Sequence, residues 1–132
     1  MFAVAAFAVL SLGLFGGFST CFQITQVTRE NLRATQIMQQ SMEVLRLCNW
    51  SQTNPSSNYI PTSLSVPYDA ATSNSLAYQV SVTITNPPTM TDVYTNDLRM
   101  VTVQVRWTSG TAQRTRSMST FVSQYGIQNY VW

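Results

Sequence analysis

The sequence predicts an α+β protein in which a long N-terminal helix packs on a small antiparallel meander of three or four strands. Residues 1–48 contain no proline and are first apolar and then amphipathic, which is typical of one continuous helix. From residue 76 onward, apolar and polar residues alternate in segments bounded by turn residues, which is typical of strands. We therefore divide the chain into a helix (1–48), a connection (49–75) and a sheet domain with an aromatic tail (76–132).

The composition places narrow limits on function. Only 9% of the residues are charged, against about a quarter in average proteins. Lysine and histidine are absent, and the formal net charge is +2. Such a hydroxyl-rich, charge-poor chain suits an exterior or assembled protein. The charge is too small to predict nucleic-acid binding, so DNA is at most a weak surface partner.

The apolar half of the helix, residues 1–22, carries no charge and is about 33 Å long, enough to cross a bilayer. A cleaved secretory signal would need a basic start, but no arginine or lysine precedes Arg29. A lipoprotein would carry its lipid on Cys21, but the preceding FST is a poor match to the expected small residues. The third interpretation is a retained anchor that leaves the membrane and packs in a helical bundle.

Three glycines favour the retained anchor. Gly13, Gly16 and Gly17 permit close helix approach, and each weakens the helix by about 1 kcal/mol relative to alanine. We expect this cluster to kink or locally melt the helix.

The amphipathic half, residues 23–48, separates into two faces at 100° per residue. Leu32 and Leu47 fall on the polar side, where they are compatible with contacts to neighbouring subunits, and Glu30 and Asn31 interrupt the apolar sector. The apolar sector contains Ile24, Val27, Ala34, Ile37, Met38, Met42, Val44, Leu45 and Cys48.

Both cysteines lie on the helix. Cys21 and Cys48 are 27 positions apart, or about 40 Å in a continuous helix, whereas a disulfide needs Cα atoms within about 7 Å. Two interpretations remain open: small apolar residues in buried positions, or an intersubunit disulfide.

The connection begins at residues 49–51 (NWS), which end the helix, and Asn54-Pro55 prevents it from resuming. We expect residues 49–75 to form a long interaction loop anchored by apolar side chains such as Leu64 and Val66. The NWS tripeptide also matches a glycosylation acceptor pattern, which makes Asn49 a candidate glycosylation site.

In the sheet domain, the alternation of apolar and polar residues predicts strands at 76–85, 98–108 and 114–123, with a turn at Ser109-Gly110. One face of the sheet should be exposed to solvent while the other packs on the helix. The residues predicted to form this helix–sheet contact are Val27, Ala34, Ile37, Met38, Met42, Leu45, Val80, Val82, Val103 and Val105. Four arginines (99, 106, 114, 116) give the domain a mild basic bias, and the apolar tail from residue 124 should dock on its own domain or on the next subunit.

The N-terminal helix resembles that of type IV pilins and pseudopilins. The resemblance rests on residues 1–6 (MFAVAA), 29–36 (RENLRATQ) and 43–47 (EVLRL). The family's N-terminal phenylalanine and nearby glutamate are absent, with Ala5 at the glutamate's place, so we expect the sequence to begin partway along the motif.

The resemblance implies a ladle-shaped fold and a filament whose core is built from apolar helices. The side chains expected in that core are Phe2, Val4, Phe7, Val9, Leu10, Leu12, Leu14, Phe15 and Phe18. It also implies a homo-oligomeric, helical filament at the cell surface, residence in the inner membrane before assembly, and pilus assembly machinery as a partner.

The expected function is therefore a structural subunit of an extracellular type IV pilus-like filament. The alternative is a membrane-tethered minor pilin or pseudopilin that primes a pilus, secretion or DNA-uptake machine. An archaeal-type filament subunit would share the helix but carry a β-sandwich. We expect no enzyme and no catalytic, metal or cofactor residues, because the chain has no histidine, no glycine-rich phosphate loop and no CxxCH motif.

Overall fold

The computed structural model describes residues 2–53, 59–69, 76–87 and 96–125, apart from the side chains of residue 2 and residues 4–6. Helix α1 (Phe2–Arg46) is followed by β1 (Ser63–Pro67), β2 (Ala77–Thr85), β3 (Leu98–Ser109) and β4 (Ala112–Ser123). The strands form one antiparallel sheet in the order β1-β2-β3-β4. The predicted α+β fold, with a helix packed on an antiparallel meander, is confirmed.

The fourth strand of the sheet is β1, which lies inside the segment predicted as a loop. Leu64 pairs with Val80 and Val66 pairs with Tyr78, so the residues expected to be loop anchors point to the same face as the valines of β2. Five residues ending in a proline are too few for a strand to stand out from period-two alternation alone.

The β3–β4 hairpin turns through Gly110 and Thr111, because Ser109 pairs with Ala112. Gly110 has a φ of 60°, which a residue without a Cβ adopts at little cost. Glycine at the first central position is the pattern of a type II′ hairpin turn, which matches the twist of the flanking strands. The predicted turn is confirmed, with strands slightly longer than the alternation indicated.

Helix α1 ends at Arg46, two residues before the predicted end. The amides of Leu47 and Cys48 donate to carbonyls three positions back, each at 3.2 Å, which tightens the last turn. Asn49 then closes a turn, because its Oδ1 accepts hydrogen bonds from the Gln52 amide at 3.0 Å and the Ser51 hydroxyl at 2.7 Å. An asparagine side chain that satisfies backbone amides in this way competes with helix continuation.

The core lies between the sheet and the part of α1 from Ala34 to Leu45. Trp107 and Tyr78 pack with ring centroids 5.6 Å apart at one end of this layer. The buried apolar residues are Ala34, Ile37, Met38, Met42, Leu45, Tyr78, Val80, Val101, Val103, Val105 and Trp107, with Val82 packed against them.

Four residues of the predicted apolar sector, Ile24, Val27, Val44 and Cys48, differ from the expectation. Val44 is 58% exposed and Ile24 is 61% exposed, whereas Leu45 is 4% exposed. Val27 is half-exposed and is not part of the core cluster. The stripe buries five residues over about three turns and is narrower than the broad sector drawn from the sequence, so residues at its margin stay accessible.

The chain divides into two compact units, residues 1–32 and residues 33–132, with the boundary inside α1. The first consists of helix alone, and the second holds the core and the whole sheet.

Candidate assembly surfaces

The first unit contains an apolar segment, residues 7–22, whose side chains are open to solvent. Its large apolar side chains are between 57% and 79% exposed. They are Phe7, Val9, Leu10, Leu12, Leu14, Phe15, Phe18 and Phe22. All the predicted filament-core residues with described side chains are therefore available for contact. Phe2 and Val4 lie outside the described side chains.

Helix α1 contains an 18-residue window that is apolar enough to cross a membrane. None of its most hydrophobic window is buried. Length and composition allow this segment to act as a membrane anchor or a signal.

Two of the three hydroxyl side chains of this segment, those of Ser11 and Thr20, donate to the helix backbone, as does Thr25 just beyond it. The Ser11 hydroxyl donates to the Phe7 carbonyl at 2.9 Å, and the Thr20 hydroxyl donates to the Gly16 carbonyl at 3.0 Å. Thr25 donates to Cys21 in the same way, at 2.8 Å. Because these hydroxyls have partners four residues back, they can enter an apolar environment without an unsatisfied donor.

The three glycines do not interrupt the helix, since α1 is helical through Gly13, Gly16 and Gly17. A Cβ added at any of them would meet nothing within 4 Å. The glycines are therefore not required by contacts within the described chain. Their predicted weakening of the helix stays a prediction.

Both cysteines are free thiols. Cys21 is exposed on the apolar segment, and Cys48 is half-exposed, with its thiol donating to the Val44 carbonyl at 3.5 Å. The intersubunit disulfide stays a prediction. Glu43 and Arg46 form an exposed ion pair at 3.3 Å, and Glu30 is buried and accepts a hydrogen bond from the Gln26 side chain at 3.0 Å.

The second unit carries an apolar groove of about 260 Å³ between α1 and strands β1 and β2. Its lining is uncharged and includes Val44, which lies at the margin of the buried stripe of α1. The lining residues are Ile37, Gln40, Ser41, Val44, Leu45, Ile60, Pro61, Leu64, Val66, Val80 and Val82. Sequence reasoning missed this groove because it depends on β1, whose only signal was the short alternation of Leu64 and Val66.

The free edges of the sheet are protected against strand addition. β4 is an edge strand of 12 residues. Its Arg114 and Arg116 pair with Trp107 and Val105, which belong to the core-facing side of the sheet, here called the inner face. Arg116 reaches α1 and donates to the Thr35 hydroxyl at 3.1 Å. The other edge strand, β1, has five residues and ends in Pro67. Inward-pointing charges, short edges and prolines are devices that prevent edge-to-edge pairing.

The four arginines of the sheet domain do not form one basic patch. Arg99 lies over the Trp50 ring at 4.0 Å and donates to the Trp50 carbonyl at 3.3 Å. Arg114 and Arg116 belong to the inner face, whereas Arg106 pairs with Gln79 and Thr115 on the opposite face. This distribution gives a DNA backbone no continuous row of cations to follow.

The opposite face of the sheet, which we call the outer face, is lined in its centre by hydroxyl and amide side chains and Arg106. Its three central rows across the strands are Thr83, Thr102 and Ser119; Ser63, Ser81, Gln104 and Ser117; and Ser65, Gln79, Arg106 and Thr115. The residues of this surface follow from the alternation in the sequence, because every second residue of each strand belongs to it.

Asn49 is exposed, as a modified residue must be, and its glycosylation stays a prediction. Most of the tail, residues 126–132, lies outside the described residues.

No family model matches the sequence, and no curated protein or solved structure was found to be similar to it.

Proposed function

We propose that the protein is a structural subunit of an extracellular, type IV pilus-like filament and that copies polymerise through the apolar segment. The observation that carries the proposal is the contrast along a single helix. From Ala34 to Leu45, α1 buries its apolar stripe, whereas residues 7–22 expose a full circumference of large apolar side chains. A helix that is hydrophobic all round belongs in a core or a membrane.

Burial of this segment between copies supplies the driving force. Each large apolar side chain contributes about 1.5–3 kcal/mol when it is removed from water. Phe7, Leu14 and Phe18 lie at helical spacings of seven and four, so they form a continuous ridge that a neighbouring helix can contact. The glycines and the internally bonded hydroxyls let two such helices approach closely.

The same segment accounts for residence in the inner membrane before assembly. A subunit needs an apolar solvent for this surface until neighbours cover it, and a bilayer provides one. The resemblance of the helix to that of type IV pilins and pseudopilins supports the same order of events.

The protected sheet edges support assembly by helices over assembly by strands. The inward-pointing arginines of β4 make an added strand bury charge, and β1 offers only a short edge. The second unit contributes one sheet in the described ranges, and not the two packed sheets of a sandwich head.

The experiment compares fibre formation by wild type, Phe15→Glu and Gln39→Glu. Phe15 is 79% exposed on the apolar segment, and Gln39 is exposed on the polar side of α1, so both changes add one negative charge without disturbing the core. Full-length protein is purified in detergent, the detergent is removed, and the product is examined by electron microscopy and by sedimentation. Circular dichroism verifies that both variants keep the sheet domain.

Wild type and Gln39→Glu are expected to form long fibres, and Phe15→Glu is expected to remain in small species. Fibres from Phe15→Glu that match those of wild type contradict the proposal. Detergent-soluble monomer from wild type, with no fibre that incorporates the chain, favours the alternative of a membrane-tethered module that primes another machine.

A further inference from the structure

The outer face carries little charge, in keeping with the 9% of charged residues in the whole chain. Among the three central rows defined above, Arg106 is the one charged residue. Exposed protein surfaces usually carry about 25–35% charged residues. A partner held by ion pairs, such as a nucleic acid or a charged peptide, would find one cation and no anion here.

The central rows of this face are also poor partners for an apolar protein surface. Protein interfaces are enriched in aromatic residues, methionine and arginine and are depleted in serine. The central rows hold serine, threonine and glutamine around Arg106, which offer little apolar area to bury.

The face is rich in groups that both donate and accept hydrogen bonds. The Thr102 and Ser119 hydroxyls lie 2.9 Å apart across β3 and β4, and Gln79 donates to the Ser65 hydroxyl at 3.2 Å across β1 and β2. Each hydroxyl retains further hydrogen-bonding capacity after such a contact. The cross-strand pairs hold the side chains in one orientation, which lowers the entropy lost on binding.

These groups recur at regular spacing. Neighbouring strands lie about 4.8 Å apart, and residues on one face recur about every 6.7 Å along a strand. Phe121, which is 57% exposed, shares a cross-strand row with Met100 and Thr85 at the end of the same face. An exposed aromatic side chain beside hydroxyls suits a ligand with polar edges and apolar C–H faces.

We propose that the outer face binds a neutral polysaccharide, with the hydroxyl and amide rows hydrogen-bonding the chain and Phe121 contacting a sugar ring. Charge complementarity selects the partner, since an uncharged polyol meets an almost uncharged face. A linear polymer of repeating hydroxyls contacts many positions at once, so weak single contacts add up through multivalency. This binding is independent of polymerisation through the apolar segment.

The test measures retention of the full-length protein on immobilised cellulose, dextran and galactan, with heparin as the charged comparison. The protein is kept in a polyoxyethylene detergent, because a detergent with a sugar headgroup would compete. Two exposed positions of the face are changed in Thr83→Glu/Ser117→Glu. The matched control, Gln36→Glu/Gln39→Glu, adds the same charge at exposed positions of α1.

Wild type and the control are expected to bind at least one neutral polysaccharide equally, with little change between low and high salt. The outer-face variant is expected to bind roughly tenfold more weakly, since two hydrogen-bonding positions are lost and charge is buried against the ligand. If circular dichroism shows that the double variant is misfolded, Thr102→Val replaces it, with an expected loss of roughly threefold.

Absence of wild-type retention on all three neutral polysaccharides overturns the proposal. Equal retention of the folded outer-face variant also overturns it. Binding that disappears at high salt would place the interaction on charge and would contradict it as well.

Discussion

At the scale of single residues, the adjacent pair Val44 and Leu45 shows how far a helical projection predicts burial. Both fall in the apolar sector of the sequence, yet Val44 is 58% exposed and Leu45 is 4% exposed. The projection predicts the centre of the buried stripe, because 100° per residue is fixed by helix geometry. It does not predict the width of the stripe, which depends on the strands that pack against it.

This difference predicts opposite costs for two neighbouring substitutions. Leu45→Ala removes buried methyl groups and leaves a cavity, so we expect the free energy of unfolding to fall by about 2–5 kcal/mol. Val44→Ala should cost less than about 1 kcal/mol, because its side chain is largely solvated already. Urea unfolding in mild detergent, followed by tryptophan fluorescence, measures both. Equal losses would mean that the buried stripe is wrongly placed.

The contact between Arg99 and Trp50 joins residues 49 positions apart. Arg99→Ala removes a cation–π contact and a hydrogen bond to the Trp50 carbonyl, and we expect it to cost about 1–2 kcal/mol of unfolding free energy. Arg106→Ala, an exposed arginine on the same strand, is the matched control and should cost less than about 0.5 kcal/mol. A cost for Arg99→Ala no larger than the control's would show that the contact does not fix the turn.

Such a contact also marks a limit of sequence reasoning. Val103 and Val105 were predicted from alternation, which needs only local pattern, and both are fully buried. No periodicity connects Arg99 with Trp50, because their approach depends on where the helix ends relative to β3.

At the scale of elements, the strands at 98–109 and 112–123 were predictable, since long alternating runs flank a glycine turn. β1 was not, because its five residues carry two apolar positions and lie in a segment rich in serine, threonine and proline. The groove depends on β1 and was missed with it. The outer face was present in the alternation but could be recognised as one surface only from the cross-strand register.

The edge strand β4 yields a prediction about aggregation. Arg114→Val/Arg116→Val removes the inward-pointing charges, and we expect the protein to form oligomers rich in β-structure as its concentration rises, because the edge then accepts another strand. Thr115→Val/Ser117→Val places the same residues on the outer face of the same strand and leaves the arginines in place. Size-exclusion chromatography and infrared spectroscopy distinguish the two. Equal aggregation of both variants would show that the added valines, and not the loss of the inward-pointing arginines, cause the effect.

The glycine cluster yields a second prediction at this scale. Changing Gly13, Gly16 and Gly17 to alanine should stabilise the isolated helix, by about 1 kcal/mol for each, because no described neighbour obstructs a Cβ. The same change should impair packing between helices, since close approach needs small residues. We expect slower amide exchange across residues 10–20 in detergent together with fewer fibres. Normal fibre yield would show that close approach at the glycines is not used.

At the scale of the whole molecule, the sequence predicted the fold class because helix and strand patterns occupy separate halves of the chain. The sequence says less about the surroundings of the apolar segment, because an exposed apolar segment requires an apolar environment without specifying which one. Exposure of residues 7–22, the bonding of the Ser11 and Thr20 hydroxyls within the helix and protection of the sheet edges together favour packing against the same helix of neighbouring copies.

The measurement that tests this account most directly is a cryo-electron microscopy reconstruction of fibres recovered from cells that produce the protein. We predict that residues 7–22 of adjacent copies pack against one another along the fibre axis, with the sheets and their outer faces on the exterior. A fibre held together by strand pairing, or one in which the apolar segment faces solvent, would contradict polymerisation through the helix. So would the recovery of this chain only as a membrane-bound monomer.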